Sequence, residues 1–369
     1  MEDPYTWIEN LNDKRTLKFI EEHNRRFQKY VGDLPKRFTA RVERHYGVPY
    51  VYSFRCSERG VYVVLRGLHG YYVKLISWDG SEEHVLFSGD LGRDVLISDV
   101  HPSPAGDKVG ISYTVGGSDE GFVRVIDVDT GEVLDEIRGT IGDVVWRNGE
   151  EYYYARLYRS GKSPDGVKAP VERIILRSLG DGHEEMVFGE GIPTNYLIFL
   201  IEANDPARLF IVVQRSWSSS YIYGGYLEDP SSWRMVFDGG EYLVKPVGYE
   251  GDRAYLVYHD REGMGRILSV SDDGVEEVVP EQSHPLSNAV IAGGLIFANY
   301  LVNASSRLRI FSTDGSPRWD VTFDRPMSIN EMKPFKDMVI FSAESFDKPL
   351  SLYIMEAGTT TARELYGYR

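Results

Sequence analysis

Cysteine is nearly absent from this chain of 369 residues, because Cys56 is the only one. A single cysteine excludes a disulfide within the chain and favours a reducing compartment. The N-terminus has no basic segment followed by an apolar one, so we expect no secretory signal. The most apolar window, residues 288–302, is interrupted by Gly293 and Gly294 and is too short to cross a bilayer. We therefore expect a cytoplasmic protein without a membrane partner.

Positively charged residues are fewer than negatively charged ones. The chain has 41 Lys and Arg against 56 Asp and Glu, which gives a net charge of −15 at pH 7. Binding to nucleic acid depends on Lys and Arg that neutralise phosphates, so this balance argues against a nucleic-acid partner. For the same reason it disfavours an anionic membrane surface.

Catalytic and metal-binding motifs are missing as well. No Ser has Gly both two positions before it and two positions after it, the nucleophile-elbow pattern of α/β-hydrolases. Ser112 and Ser118 have the first Gly, but Thr114 and Glu120 stand where the second would be. The eight His residues are scattered and form no pair at ligand spacing. We therefore predict no cofactor, no metal and no catalysis by this chain alone.

What the chain does have is a set of tight turns that recur every 41 to 51 residues. The seven turns are Asp79-Gly80, Thr130-Gly131, Asp181-Gly182, Asp229-Pro230, Asp273-Gly274, Asp314-Gly315 and Ala357-Gly358. Asp-Gly between apolar runs is a strong hairpin signal, because Gly accepts the positive φ of tight turns. A hairpin repeated at this period is typical of propeller blades with four strands each. The turns predict an all-β fold, a seven-bladed β-propeller over residues 47–369.

The propeller region has two further features. Residues 159–170 form a Gly-, Pro-, Ser- and Lys-rich loop inside blade three, and loops of this length are uncommon unless they function or move. Blades one and seven each contain four strand segments of their own, and blade one is expected at residues 50–54, 61–66, 71–78 and 84–87. We therefore expect the two ends of the ring to meet through side-chain packing alone.

Residues 1–46 differ from the rest and predict a short N-terminal helical arm. Asp13 is a suitable N-cap, and the residues from 17 to 31 that follow are amphipathic. Their apolar stripe has helical spacing and consists of Leu17, Ile20, Phe27 and Val31. Residues 32–35 are expected to end the helix. A stripe of this kind needs an apolar partner.

The N-terminal segment Asp3-Pro4-Tyr5-Thr6-Trp7-Ile8-Glu9 resembles the start of the prolyl oligopeptidase family, which opens with Asp-Pro-Tyr-x-Trp-Leu-Glu. Residues 20–24, Ile-Glu-Glu-His-Asn, are similar to the helix that follows in that family. The family continues with a seven-bladed propeller and then an α/β-hydrolase domain that holds its catalytic Ser, Asp and His. This sequence stops near Tyr366, where that domain would start, so no catalytic residue can be carried over.

The resemblance implies a function and partners. It implies the non-catalytic, substrate-gating propeller of a serine endopeptidase that cleaves short proline-containing peptides. The implied partners are an α/β-hydrolase peptidase domain and short peptides. The alternative is a self-standing propeller that binds a peptide or a protein. Without the peptidase domain the helical arm would fray, fold onto its own propeller or pair with a second copy, and we favour a homodimer.

The resemblance also implies three substrate-facing residues. Residues 213–215, Val-Gln-Arg, resemble a family stretch whose Arg faces the substrate cavity, which here is Arg215. Tyr152 and Tyr153 lie where some members place an aromatic side chain near the substrate. The alternatives are a solvated Arg at the end of a strand and two tyrosines in the core of a blade.

Overall fold

The computed structural model describes residues 3–88, 94–261, 263–321 and 323–367. The chain divides into two compact units, one that ends at Val48 and one that begins at Pro49. The first unit is helical, and the second is built from β-strands.

The helical unit contains a 3-10 turn and two helices, Thr6–Glu9, α1 (Lys14–Val31) and α2 (Leu34–Tyr46). Asp13 caps α1 by accepting a hydrogen bond from the backbone N of Arg15 at 2.8 Å. The second helix was not predicted, although Pro35 lies in its first turn, where proline is tolerated. In the described part of the chain, no helix combines the length and the apolar character that a membrane crossing requires.

In the described residues, 27 strands form six antiparallel sheets. The first sheet holds β1 (Tyr50–Ser57), β2 (Gly60–Gly67), β3 (Gly70–Ile76) and β4 (Glu83–Ser88). The second holds β5 (Val95–Pro102), β6 (Lys108–Val115), β7 (Gly121–Asp127), β8 (Val133–Trp146), β9 (Glu151–Tyr158), β10 (Val171–Ser178) and β11 (Glu184–Phe188).

Each of the four remaining sheets has four strands in sequence order. The third holds β12 (Leu197–Glu202), β13 (Arg208–Ser216), β14 (Ser219–Tyr226) and β15 (Arg234–Asp238). The fourth holds β16 (Leu243–Glu250), β17 (Arg253–His259), β18 (Arg266–Ser271) and β19 (Gly274–Val279). The fifth holds β20 (Leu286–Ala292), β21 (Leu295–Val302), β22 (Ser305–Ser312) and β23 (Pro317–Val321). The last holds β24 (Ser328–Phe335), β25 (Met338–Ser345), β26 (Lys348–Glu356) and β27 (Arg363–Tyr366).

This architecture confirms an all-β propeller with four-stranded blades, but the separate sheets do not number seven. Five described sheets have four strands, whereas the second has seven. Its middle strand β8 is 14 residues long and pairs with β7 through residues 133–139 and with β9 through residues 140–146. Because the strand continues from one partner to the other, no break divides this sheet.

The core of the propeller lies between neighbouring sheets. In β2, Val61, Val63 and Leu65 pack against the last sheet. The alternate residues Tyr62 and Val64 pack against the second sheet. Because successive side chains of a strand point to opposite faces, a strand covered on both sides buries a continuous apolar run.

The first and last sheets meet through side chains. Trp78 stacks on Phe335 with ring centroids 4.7 Å apart, and Lys336 Nζ lies 2.6 Å from Glu58 Oε2. Arg363 donates a hydrogen bond to the carbonyl oxygen of Trp78 at 2.8 Å. Within the described ranges each of the two sheets has four strands of its own, and no strand pairing joins them.

Candidate functional site

The strand topology gives the propeller two distinct faces. Because neighbouring strands are antiparallel, the first strand of a four-stranded sheet begins at the face where the fourth strand ends. We call this the Pro49 face, which contains Pro49, Gly367 and the hairpins between second and third strands. The opposite turn face contains the hairpins between third and fourth strands, where the seven predicted turns lie. Pro49 and Gly367 line one cavity of about 190 Å³, so the two positions are close together.

Arg215 lies near the end of β13, at the Pro49 face, and its guanidinium is held on three sides. One terminal nitrogen is 2.8 Å from Asp238 Oδ2, and the other donates to the carbonyl oxygen of Gly240 at 3.0 Å. The guanidinium also lies 4.5 Å from the ring centroid of Tyr221. The hydrogen bond to Asp238 raises the pKa of Arg215. Arg215 is therefore an oriented, permanent cation whose side chain is 28% exposed and keeps further N–H donors.

Tyr152 and Tyr153 lie at the start of β9, near the turn face, and both are fully buried. The Tyr152 hydroxyl donates to Asp135 Oδ2 at 2.8 Å, and the Tyr153 hydroxyl donates to the carbonyl oxygen of Leu227 at 2.7 Å. Desolvation raises the pKa of both phenols. Along the strand direction they lie about 20 Å from Arg215, given the rise per residue of a strand. The structure does not bring these residues together with Arg215.

Large apolar side chains at the Pro49 face were not predicted. Trp217 in the β13–β14 hairpin is 93% exposed, Phe346 in the β25–β26 hairpin is fully exposed, and Leu68 lies exposed in the β2–β3 hairpin. Each stands in a hairpin between the second and third strands of a sheet. We call these three side chains the apolar tips. The sequence signal for them is a large apolar residue inside a short polar turn.

A charged network connects the first strands of two sheets with β5. Arg55 on β1 donates to Asp99 Oδ2 on β5 and to Glu331 Oε1 on β24, the latter at 3.3 Å. Lys333 Nζ lies 2.9 Å from the same Glu331 oxygen.

Burial lowers the pKa of Arg55, but the attractions to Asp99 and to the other carboxylates around it together outweigh burial and raise that pKa. Burial raises the pKa of Asp99, but the attraction to Arg55 and the hydrogen bonds from Ser53 and Val100 together lower it. The pair of Arg55 and Asp99 therefore stays ionised at neutral pH.

Two carboxylates of the second sheet accept hydrogen bonds from backbone N–H groups at the edge of β12, where the second and third sheets meet. Glu172 Oε2 accepts a hydrogen bond from Ile198 N at 2.7 Å, and Asp143 Oδ2 accepts one from Leu200 N at 3.0 Å. Desolvation raises the pKa of Glu172 to about 7, and the charge of Asp143 adds to the shift. Glu172 is therefore partly protonated at neutral pH.

Replacement of Glu172 tests this assignment. A carboxyl group whose pKa is raised from 4.5 to about 7 by folding destabilises the fold increasingly as the pH rises through that interval. Glu172→Gln keeps an acceptor for Ile198 N and removes the charge. We expect the variant to be more stable than the parent at pH 8, by up to about 3 kcal/mol, and similar to it at pH 4.5. Thermal unfolding at both pH values measures this difference.

The exposed Glu185 provides the matched control, and Glu185→Gln is expected to change stability little at either pH. A Glu172→Gln variant that is no more stable than the parent at pH 8 would contradict the assignment.

In the described ranges the arrangement most similar to a catalytic pair is that of Ser112 and His101, whose Oγ and Nε2 atoms are 2.8 Å apart. Both residues are buried, and desolvation lowers the pKa of His101 to about 4. Among the residues that the structure describes, no three His, Cys, Asp or Glu side chains are grouped to hold a metal ion.

Comparison with known families identifies one model that matches almost the entire chain. Residues 1–366 match the model described as prolyl oligopeptidase, N-terminal beta-propeller domain. The match includes both the helical unit and the propeller.

Two curated relatives are similar to this chain. The prolyl endopeptidase of Elizabethkingia meningoseptica is 20% identical over 333 residues, which cover 85% of this chain and 46% of that protein. The prolyl endopeptidase of Elizabethkingia miricola is 20% identical over 334 residues, with the same coverage. The chain thus spans about half the length of these relatives.

Solved structures show the same fold. A prolyl endopeptidase structure superposes with a TM-score of 0.83 at 21% identity, over 99% of this chain and 57% of that one. Prolyl oligopeptidase B from Galerina marginata, bound to a 35-residue hydrolysis and macrocyclization substrate, superposes with a TM-score of 0.80 at 13% identity. That match covers 100% of this chain and 57% of that one. At these identities the similarity demonstrates the fold alone.

Proposed function

The chain belongs to the family of the prolyl oligopeptidase N-terminal β-propeller domain, and from this premise we propose that it is the non-catalytic propeller of a prolyl-oligopeptidase-like serine peptidase. In this role it packs against an α/β-hydrolase peptidase domain and admits only short, proline-containing peptides to it. We also propose a cytoplasmic location, supported by the single cysteine.

The main support for this proposal comes from the Pro49 face. A domain joined to the propeller at Pro49 or at Gly367 starts from this face, since both positions line one cavity there. The apolar tips project from the same face, and exposed Trp and Phe side chains are typical anchors of protein interfaces. A partner that contacts Leu68, Trp217 and Phe346 together spans hairpins of three separate sheets. A folded domain can do this, whereas a short peptide cannot.

We propose Arg215 as the residue of this face that contacts the peptide. Its guanidinium is oriented by Asp238 and Gly240 and keeps N–H donors that a peptide carbonyl can accept. We assign Tyr152 and Tyr153 a role in packing and not in peptide contact, because they are buried near the turn face.

We infer that the seven-stranded sheet serves as two blades that share β8. Residues 133–139 complete one blade with β5 to β7, and residues 140–146 begin the next with β9 to β11. Each half then has four strands and one of the predicted turns, Thr130-Gly131 or Asp181-Gly182. This division supports a ring of seven blades.

The DNA that follows the codon for Arg369 tests the proposal most directly. A G-x-S-x-G motif with later Asp and His codons, in frame or in a neighbouring gene, is the expected result. A stop codon with no peptidase gene nearby would favour the second candidate, a self-standing propeller that binds a protein through the apolar tips.

Substitutions at the apolar tips test the docking surface. We expect Trp217→Asp with Phe346→Asp to weaken binding to the peptidase domain by at least about tenfold, because truncated interface anchors typically lose 2 kcal/mol or more. The binding of a purified peptidase domain, measured by calorimetry, gives the dissociation constants. Val275, an exposed residue of the outer strand β19, provides the control Val275→Asp. Equal losses in both variants would indicate that the Pro49 face is not the docking surface.

A further inference from the structure

Polar side chains close the interfaces between neighbouring sheets at the edges of the first strands. Such a strand has N–H groups that point away from its pairing partner, and a side chain of the preceding sheet accepts them. Ser306 Oγ on β22 accepts from Ile329 N on β24 at 2.9 Å. Ser220 Oγ on β14 accepts from Val244 N on β16 at 3.0 Å. We call a contact of this kind an edge clasp.

The two edge clasps of β16 use neutral groups that both accept and donate. Ser220 Oγ also donates to the carbonyl oxygen of Val244 at 2.8 Å. Asn204, in the loop after β12, accepts from Tyr249 N at 2.7 Å and donates to the carbonyl oxygen of Tyr249 at 2.9 Å. Hydroxyl and amide groups do not titrate near neutral pH, so these clasps, like that of Ser306, do not respond to pH there.

The edge clasps between the second and third sheets differ, because both acceptors are carboxylates. Glu172 on β10 accepts from Ile198 N, and Asp143 on β8 accepts from Leu200 N, on the same edge of β12. An ionised carboxyl group only accepts, whereas a protonated one can also donate, as the neutral clasps do. Among the edge clasps that the described residues form, those of Glu172 and Asp143 alone contain groups that titrate.

In the described part of the chain, Glu172 has no cation that compensates its charge. Desolvation raises its pKa to about 7, the hydrogen bond from Ile198 N opposes the rise, and the charge of Asp143 adds to it. On β9, the residue opposite Glu172 is the apolar Leu157. Arg173, the next residue of β10, points to the other face of the sheet and has its own carboxylate partner. When Glu172 ionises, its charge therefore stays unpaired in a partly buried position.

Asp143 is better compensated than Glu172. Desolvation raises the pKa of Asp143, but the hydrogen bond from Leu200 N and the charge of Arg55 oppose the rise. The charged groups that face Asp143 lie on β1, β5, β12 and β24 and are Arg55, Asp99, Glu202 and Lys333. Because two of these groups are cations, we take Glu172 as the member of the clasp that titrates near neutral pH.

We propose that Glu172 forms a proton-controlled clasp: its ionisation loosens the edge of β12, and its protonation holds that edge against the second sheet. An unpaired charge gains by reaching water, which draws the carboxylate away from Ile198 N. The apolar core between the two sheets includes the side chains of Ile198 and Leu200 and stays packed, so the loosening is confined to the strand edge. Because β12 pairs with β13, it extends to the strand of Arg215, and only this last consequence rests on the proposed function.

Amide hydrogen exchange of the whole chain, without peptide or peptidase domain, tests the proposal. Protection factors are measured at about pH 6 and about pH 8.5 and are corrected for the intrinsic exchange rate at each pH. With a pKa of about 7 in the closed clasp and of 4.5 in the open one, the protection of Ile198 N and Leu200 N should fall about tenfold between the two pH values. The neutral clasps of Val244 N and Tyr249 N are internal controls and should change little.

Two variants identify the group that is responsible. Glu172→Gln keeps an acceptor for Ile198 N and should abolish the pH-dependent fall, whereas the exposed Glu185→Gln should leave it as in the parent. Equal falls at the neutral clasps would mean that Glu172 acts on global unfolding and not on this edge, and would overturn the proposal. Unchanged protection of Ile198 N in the parent, or a fall that persists in Glu172→Gln, would overturn it as well. These outcomes do not bear on the proposed gating function, which the binding of a peptidase domain tests separately.

Discussion

No hydrolysis of a chromogenic proline-containing peptide is expected from the purified chain, and no reaction with an active-site serine phosphonate. Serine peptidase chemistry needs a nucleophile, a base and an orienting acid in contact, with donors for the oxyanion. The chain has no nucleophile-elbow motif. Among the residues that the structure describes, the one Ser–His hydrogen bond, between Ser112 and His101, is buried inside the second sheet. Loss of activity relative to a full-length prolyl endopeptidase should therefore be complete.

Mass spectrometry of the phosphonate-treated chain measures this directly. The full-length prolyl endopeptidase of Elizabethkingia meningoseptica serves as the positive control. Ser112→Ala is expected to change neither the labelling nor the background rate. Stoichiometric label on one Ser of this chain would show that it carries its own catalytic site.

The turn chemistry made the architecture predictable from sequence. Gly315 has a φ of 84°, and a Cβ there would lie 2.0 Å from the carbonyl oxygen of Val278. Gly80 has a φ of 74°. The approach to Val278 depends on the neighbouring sheet, but the positive φ is a local requirement of the turn, so it appears in the sequence without knowledge of the fold. The resemblance to the family could also be recognised from the sequence, because the N-terminal segment that carries it is a continuous motif.

The elements that were missed depend on context that a local pattern lacks. Residues 32–35 were predicted to end the first helix, and α1 does end at Val31. The second helix, α2, was missed, and it begins at Leu34 and Pro35 because proline fits the first turn of a helix. Seven separate blades of four strands would need two strands in the region of residues 133–146, whereas β8 continues there without a break between its two partners.

The site was less predictable than the fold. Arg55 bonds to Asp99, 44 residues away, and to Glu331, 276 residues away, and no sequence spacing connects residues so distant. The separation of Tyr152 from Arg215, however, could have been predicted from the sequence. Both lie on second strands that run from the turn face to the Pro49 face, Tyr152 near the start and Arg215 near the end. Strand direction alone places them at opposite faces.

Replacement of Arg55 is expected to destabilise the propeller severely. Its side chain is only 17% exposed and donates to Asp99, Glu331 and the carbonyl oxygen of Phe54. Arg55→Met keeps an unbranched apolar stem but leaves the partly buried carboxylate of Asp99 without its counter-ion. Breaking a buried ion pair from one side typically costs about 3–5 kcal/mol. Urea unfolding of parent and variant should show a loss of that size.

Two comparisons identify the ion pair as the cause. The exposed pair of Arg253 and Glu276 is the control, and Arg253→Met should cost no more than about 1 kcal/mol. Asp99→Asn in the Arg55→Met background should restore part of the loss, since it removes the uncompensated charge. If the loss of stability is the same with and without Asp99→Asn, its cause is the lost packing of the Arg55 side chain and not the uncompensated charge.

The same pair predicts an acid dependence. Because the folded-state pKa of Asp99 lies below its usual value of 3.8, Asp99 stabilises the fold above that pH. This contribution disappears as the pH falls through the folded-state pKa. In Asp99→Asn the acid-induced part of the unfolding curve should therefore be flatter than in the parent chain.

Arg55 also connects the two ends of the ring, so its loss should act first at that junction. Asp99 belongs to the second sheet and Glu331 to the last, while the first and last sheets share no strand pairing in the described ranges. A junction without ladder hydrogen bonds opens locally at lower free energy than the sheets themselves. In Arg55→Met we expect amide hydrogen exchange to accelerate in β1 and β24 more than in β17 and β18. Equal acceleration in all four strands would mean that the variant lowers global stability and leaves the junction no weaker than the rest of the ring.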